Sequence, residues 1–164
     1  VGLLARWKGV TPDGAESAAL TAHLDLFPTL CALAGASLPP EKRLDGRSLL
    51  PLLRSPAAPW PDRLLFTHVG RWSPGADPDG AKYRACAVRT SRFRLVDHAQ
   101  LYDLSADAAE RTDVSAQHPD EVARLRQAYD AWWADVRPHL ENERPVNVPA
   151  QNPFKTAYWS QFGF

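Results

Sequence analysis

Residues 21–54 read TAHLDLFPTLCALAGASLPPEKRLDGRSLLPLLR, and this stretch decides the fold class. Asp25 is a short acceptor ahead of an apolar run, the pattern of a helix N-cap. Pro28 then falls at the third helical position, where the backbone amide has no helical partner to lose. Leu26, Phe27, Leu30, Cys31, Leu33 and Ala34 recur at helical spacing as a broad apolar face, and Gly35 is the expected stop. A helix that is apolar on most sides belongs inside a large α/β domain rather than on a small one. Pro39 and Pro40 break the chain, Leu44–Ser48 reads as a turn, and Leu49–Leu53 reads as a second short helical run.

Working outward, Val1–Val10 (VGLLARWKGV) reads as a buried strand, followed by a type I turn at Thr11–Gly14 and an extended segment to Leu24. On the other side, Pro56, Pro59 and Pro61 form a stiff linker, which places a boundary near residues 55–62. Four short strands follow: Leu64–Val69, Tyr83–Thr90, Phe93–Val96 and Gln100–Leu104. Polar turns at close spacing join them, as in an antiparallel sheet. Pro119, with Asp120 and Glu121 after it, opens the only long helix, which ends near Arg137. Val122, Leu125, Tyr129, Trp132 and Val136 form one stripe fit to cover a sheet face. The tail beyond is extended and Pro-broken, yet Phe154, Tyr158, Trp159, Phe162 and Phe164 lead us to expect that it wraps back over the body.

Composition narrows the function classes. Lys plus Arg and Asp plus Glu number 19 each, so no basic excess marks a nucleic-acid or anionic-membrane surface as the main business. No apolar run reaches the roughly 18 residues of a membrane-spanning helix. Cys31 and Cys86 form neither a CxxC pair nor a zinc pattern and read as two free buried thiols, a disulfide between them being the alternative. The sequence opens without Met on an apolar run, as though cut from a longer polypeptide. The compartment is left open, periplasmic and secreted locations both being compatible.

No nucleophile elbow, HExxH, P-loop or GxGxxG motif is present. His68, Arg71 and Trp72 (HVGRW) stand where a strand runs into a Gly-rich loop. That edge can present an imidazole, a cation and an aromatic plane to an anionic or sugar-like ligand. The plainer reading is a strand end whose Trp packs on the sheet. His23 and Asp25 are spaced as an acid–base or metal pair, or simply as a polar residue and an N-cap. Arg89, Arg92 and Arg94, with Tyr83 and Arg84, form a basic strand pair, or a solvated sheet face. Asp103, Asp107 and Glu110 suggest a cation site, or turn capping, the latter favoured because their spacing is not that of an EF-hand.

Taken together, six blocks resemble the C-terminal third of arylsulfatase-type sulfatases of the alkaline phosphatase superfamily. LLARWKG and AHLDLFPTLCALAG are similar to that family's strand and HxDxxPT helix, and LDGRSLLPLL to its LDGxSLxPLL segment. AVRTSRFRLV is similar to its AVRTxxYKLI hairpin, LYDLSADAAERTDV to its LYDLxxDPxExxNL segment, and HPDEVARLRQAYDAWW to its closing helix. Ala108 stands where Pro is usual and Asp113 where Asn is usual. The resemblance implies an α/β (α+β) architecture: the end of an alkaline-phosphatase-like α/β domain over residues 1–55, a subdomain of four antiparallel strands packed on one long helix over 62–137, and an aromatic tail over 138–164. It implies sulfate-ester hydrolysis by the parent enzyme, with calcium and a formylglycine nucleophile made in a C/S-x-P-x-R motif. Neither Cys31 (CALAG) nor Cys86 (CAVRT) fits that motif, so no catalytic or metal residue and no cofactor is assigned to this chain. The implied partners are the upstream catalytic part of the same polypeptide and a sulfated small molecule or glycan, with His68, Arg71 and Trp72 as candidate substrate contacts. A stand-alone module of the same fold, or part of a related phosphodiesterase or phosphonate hydrolase, is the alternative.

Overall fold

The computed structural model describes residues 2–38, 41, 43–70, 72, 76–140, 157–158 and 160–161. Four strands form one antiparallel sheet in the order β1-β2-β3-β4: β1 Leu65–His68, β2 Cys86–Arg89, β3 Phe93–Val96 and β4 Gln100–Asp103. Residues 90–92 and 97–99 join β2, β3 and β4 as tight turns that hold them antiparallel, while the longer segment 69–85 carries the chain from β1 to β2. The register sets Leu65, Arg89, Arg94 and Tyr102 in one cross-strand row, with Phe66, Val88, Leu95 and Leu101 in the next. Pleating sends alternate residues to opposite faces. Cys86, Val88, Phe93, Leu95 and Leu101 therefore share the face that meets α3, Pro119–Val136.

From α3, Val122, Leu125, Tyr129 and Trp133 complete this core. The stripe thus runs at spacings of 3, 4 and 4, not through Trp132 as the periodicity suggests. Trp132 instead lies flat against Phe66 at the β1 edge, with ring centroids 5.2 Å apart and planes 7° apart. Trp133 goes under because its indole N–H finds an acceptor there, Asp79, at 2.8 Å. Each fully buried apolar side chain contributes about 1.5–3 kcal/mol before ordering entropy is subtracted.

Ahead of the sheet, α1 spans Leu26–Ala34 and α2 spans Leu50–Arg54. Gly35 ends α1 in the left-handed region, φ +65°, as expected. Two expectations fail here. Residues 2–6 form no strand, and Leu4 is 98% exposed. A strand needs a hydrogen-bonding neighbour, and no strand of the four-stranded sheet pairs with this segment. Residues 44–48 form no turn or bend. The glycine there serves close approach: a Cβ on Gly46 would lie 2.1 Å from the Leu24 carbonyl oxygen. The Pro39–Pro40 break and most of the aromatic tail lie outside the described residues; within the tail, Tyr158 is 60% exposed.

Candidate functional site

His68 closes β1, and its ring sits between Trp133, 5.0 Å away, and Trp72, 6.4 Å away. The Gly70 amide donates to Nδ1 at 2.8 Å, so Nε2 carries the proton and donates to the Ala81 carbonyl at 2.9 Å. Both ring nitrogens are thus committed to the backbone, which pins the loop that follows β1. Below this ring, Asp77 accepts from the Asp79 amide, and Arg137 reaches both carboxylates at 3.2 Å. The Trp133 indole holds the Asp79 carboxyl below its ordinary value, with Arg137 and Lys82 adding to the effect against partial desolvation. Trp72 is half-buried, while Arg71 lies outside the described residues. The structure therefore brings His68 and Trp72 together on one edge, with the imidazole as an anchor and the indole as its neighbour.

The other sequence candidates resolve into structural roles. Arg92 donates twice to Asp103, at 3.0 and 2.7 Å, and Arg94 reaches both oxygens of Glu110, at 2.7 and 2.9 Å. Arg92 first, then Ser105, holds the Asp103 carboxyl far below the usual range. Asp107 accepts from the amides of Arg111 and Thr112, which is turn capping. Arg89 stands directly opposite Arg94 and has no partner among the described residues. Tyr83 stacks on His98 at 4.0 Å and donates to Asp130 at 2.7 Å.

A further polar centre was only half legible in the sequence. Asp25 is fully buried, and both its oxygens meet the guanidinium of Arg63, Nη1 to Oδ1 at 2.7 Å and Nη2 to Oδ2. The amides of Ala22 and Arg47 also donate to it, at 2.7 and 2.8 Å. Burial pushes this carboxyl up, but Arg63 and the two amides outweigh it and hold it below its usual value. Asp25 thus caps the single 3₁₀ turn ahead of α1 and also serves as a buried counter-ion. Its neighbour Thr29 donates to the Asp25 carbonyl and accepts from the Leu49 amide at 2.8 Å, tying α1 to α2. Nothing in the local pattern announces Arg63, which lies 38 residues away.

Neither cysteine forms a disulfide, and burial pushes the Cys86 thiol up, away from nucleophilic use. Among the described residues, no three of His, Cys, Asp and Glu are grouped to hold a metal ion. The residues described here therefore do not fit a calcium site.

The chain belongs to the family described as N-sulphoglucosamine sulphohydrolase, C-terminal, which matches residues 1–130. It is 30% identical to mouse steryl-sulfatase over 166 residues, covering 87% of this chain and 26% of that protein. It is 28% identical to human arylsulfatase D over 179 residues, covering 93% and 29%. A protein solved in complex with its substrate, D-glucosamine-2-N,6-O-disulfate, superposes with a TM-score of 0.59 at 22% identity, covering 87% of this chain and 29% of that one. The fold is thus that of the matching part of that protein. The chain spans between a quarter and a third of the length of these relatives.

Proposed function

We propose that this chain is the C-terminal part of a sulfatase that hydrolyses sulfate esters, with the nucleophile and metal site contributed by polypeptide upstream of Val1. In this reading residues 1–55 finish a large α/β domain, residues 62–137 are the C-terminal subdomain, and residues 138–164 are its tail. The observation that carries the proposal is the face of α1. Leu26, Phe27, Leu30 and Leu33 are 42%, 52%, 62% and 41% exposed, on a helix whose polar anchor is fully buried. A monomer rarely leaves such a row to water, so the face belongs under another layer of structure. The upstream domain supplies that layer.

The formylglycine nucleophile and calcium of the parent enzyme belong upstream, since no C/S-x-P-x-R motif occurs here. The role left to this chain is to complete the fold and contribute substrate contacts. For these we propose the edge at His68, Arg71 and Trp72, with His68 holding the loop and Trp72 offering an aromatic plane to a sulfated small molecule or glycan. The test compares the 164-residue chain with the same chain extended through its upstream coding sequence, using an aryl sulfate and calcium. Hydrolysis by the longer polypeptide alone is expected. Calcium-dependent turnover by the 164-residue chain, or an inactive long form that carries the C/S-x-P-x-R motif, would overturn the proposal.

A further inference from the structure

A cleft lies beside β1, between residues 43–47 and α3, and encloses about 520 Å³. Two hydrogen bonds fix which way the β1 backbone groups point. The Val69 amide donates to the Ala85 carbonyl at 3.2 Å, and the Asp97 amide donates to the Cys86 carbonyl at 2.9 Å. Cys86 and Val88 therefore turn their backbone groups toward β3, and Ala87 and Arg89 turn theirs toward β1. Their partners, Thr67 and Leu65, answer them. The N–H and C=O groups of Leu64, Phe66 and His68 then point out of the sheet, and no backbone partner for them occurs among the described residues. The side chains of Leu64 and Phe66 pack on the α3 side. Residues 64–69 carry no proline, lysine or other charge to blunt this edge. An unblunted edge beside a cleft is the geometry that accepts an extended chain as an added strand.

The sequence after α3 has the pattern for that strand. Asp135 and Val136 line the cleft, and Leu140 packs against the core. Arg137 is bonded to Asp77 and Asp79 below His68, so the tail starts at the His68 end of β1, and a run from there past Phe66 is antiparallel to it. Extended chain advances about 3.3–3.6 Å per residue, so the stretch from Leu140 to Val146 spans roughly 20 Å. Residues 145–149, which lie outside the described residues, read Pro-Val-Asn-Val-Pro. In a strand, successive backbone groups alternate in direction, so Val146 and Val148 share one side and Pro145, Asn147 and Pro149 the other. Proline has no N–H to give and belongs on the side that faces solvent. The spacing of the two prolines therefore directs Val146 and Val148 to a neighbouring strand and leaves a proline-blunted outer border. Residues directly opposite in an antiparallel pair share a face. Both valines would then lie on the α3 side with Leu64 and Phe66, and Asn147 on the other.

We propose that residues 145–149 add to β1 as a fifth, antiparallel strand, with Val146 and Val148 exchanging backbone hydrogen bonds with Phe66 and one neighbour of the same parity. The occupant of the edge is this segment of the same chain, and the pairing stands whether or not the extended polypeptide hydrolyses sulfate esters. Amide hydrogen exchange followed by NMR on the 164-residue chain tests it. The Phe66 amide is expected to be protected. Val146→Pro and Val148→Pro should each speed its exchange by about tenfold or more, while Asn147→Pro leaves it unchanged, because that N–H points away from β1. The Val88 amide, which faces β3, should stay protected throughout and shows that the sheet is intact in each variant. A Phe66 amide that exchanges freely in the unaltered chain overturns the proposal. So does an equal loss in Asn147→Pro and Val148→Pro, or Phe66 protection that rises with protein concentration, as pairing with a second copy would give.

Discussion

Replacing Asp25 by Ala tests the centre on which the first half of the chain turns. The change leaves the Arg63 guanidinium, 9% exposed, without a counter-charge, and leaves the Ala22 and Arg47 amides without their acceptor. Breaking a buried ion pair from one side costs about 3–5 kcal/mol. Against a total stability of roughly 5–15 kcal/mol for a domain, that is about a fifth of the total or more. Urea unfolding at neutral pH, followed by far-ultraviolet circular dichroism, measures it. Asp25→Asn separates charge from hydrogen bonding: it keeps an acceptor but not the counter-ion, and is expected to lose nearly as much. The double change Asp25→Leu with Arg63→Met removes both charges and should recover a substantial part of the loss. Hydrogen exchange at the Leu49 amide, which Thr29 accepts, should speed up in the single variants. A loss below about 1 kcal/mol in both single variants would refute the view that this pair holds α1 to the chain at Arg63.

Gly46→Ala should destabilise by several kcal/mol or prevent folding, because its Cβ would fall 2.1 Å from the backbone oxygen of Leu24; a melting temperature within a few degrees of the parent's would contradict the packing. Leu30→Ser, at a position 62% exposed, should leave the melting temperature nearly unchanged while reducing self-association in sedimentation; a large stability loss would mean the face is already covered. His98 gives a pH dependence with a definite sign. Its burial lowers the ring's proton affinity, Asp130 opposes this, and Arg126 and Lys82 reinforce it. The unfolded chain therefore takes up the proton first, so stability present above about pH 6.5 is lost as the pH falls toward the lower folded value. His98→Phe, which keeps an aromatic ring at Tyr83, should flatten the stability profile between pH 7 and the onset of carboxylate titration, and an unchanged slope would assign the titration elsewhere.

The sheet and α3 were legible because their signals are local. The apolar run at Cys86–Val88, the alternation in Phe93–Val96, short polar turns, and the Pro119 start of α3 each act within a few residues, and the structure follows them. What escaped depends on distant groups. Periodicity alone cannot choose Trp133 over Trp132, since the choice rests on Asp79, 54 residues away. Asp25 reads as a cap from its neighbours, and as a counter-ion only once Arg63 is beside it. Val1–Val10 has the composition of a strand but no neighbour to pair with among the described residues. At the candidate edge, HVGRW correctly marks a strand end, yet no pattern in it tells that both His68 nitrogens are taken by the backbone.

The two borders of the sheet are not equivalent. At β4 the outward groups of Leu101 are occupied on both sides, its amide donating to Asp113 at 3.0 Å and its carbonyl accepting from the Val114 amide at 2.8 Å. Asp113 serves there as an acceptor, which Asn would also provide. That border is sealed by the chain's own next turn and offers no template to another strand. β1, at the opposite end of the order, has no such seal among the described residues. Growth of the sheet is therefore directional. A further strand, from this polypeptide or another copy, has one place to join, and it is the border that also walls the cleft at Phe66.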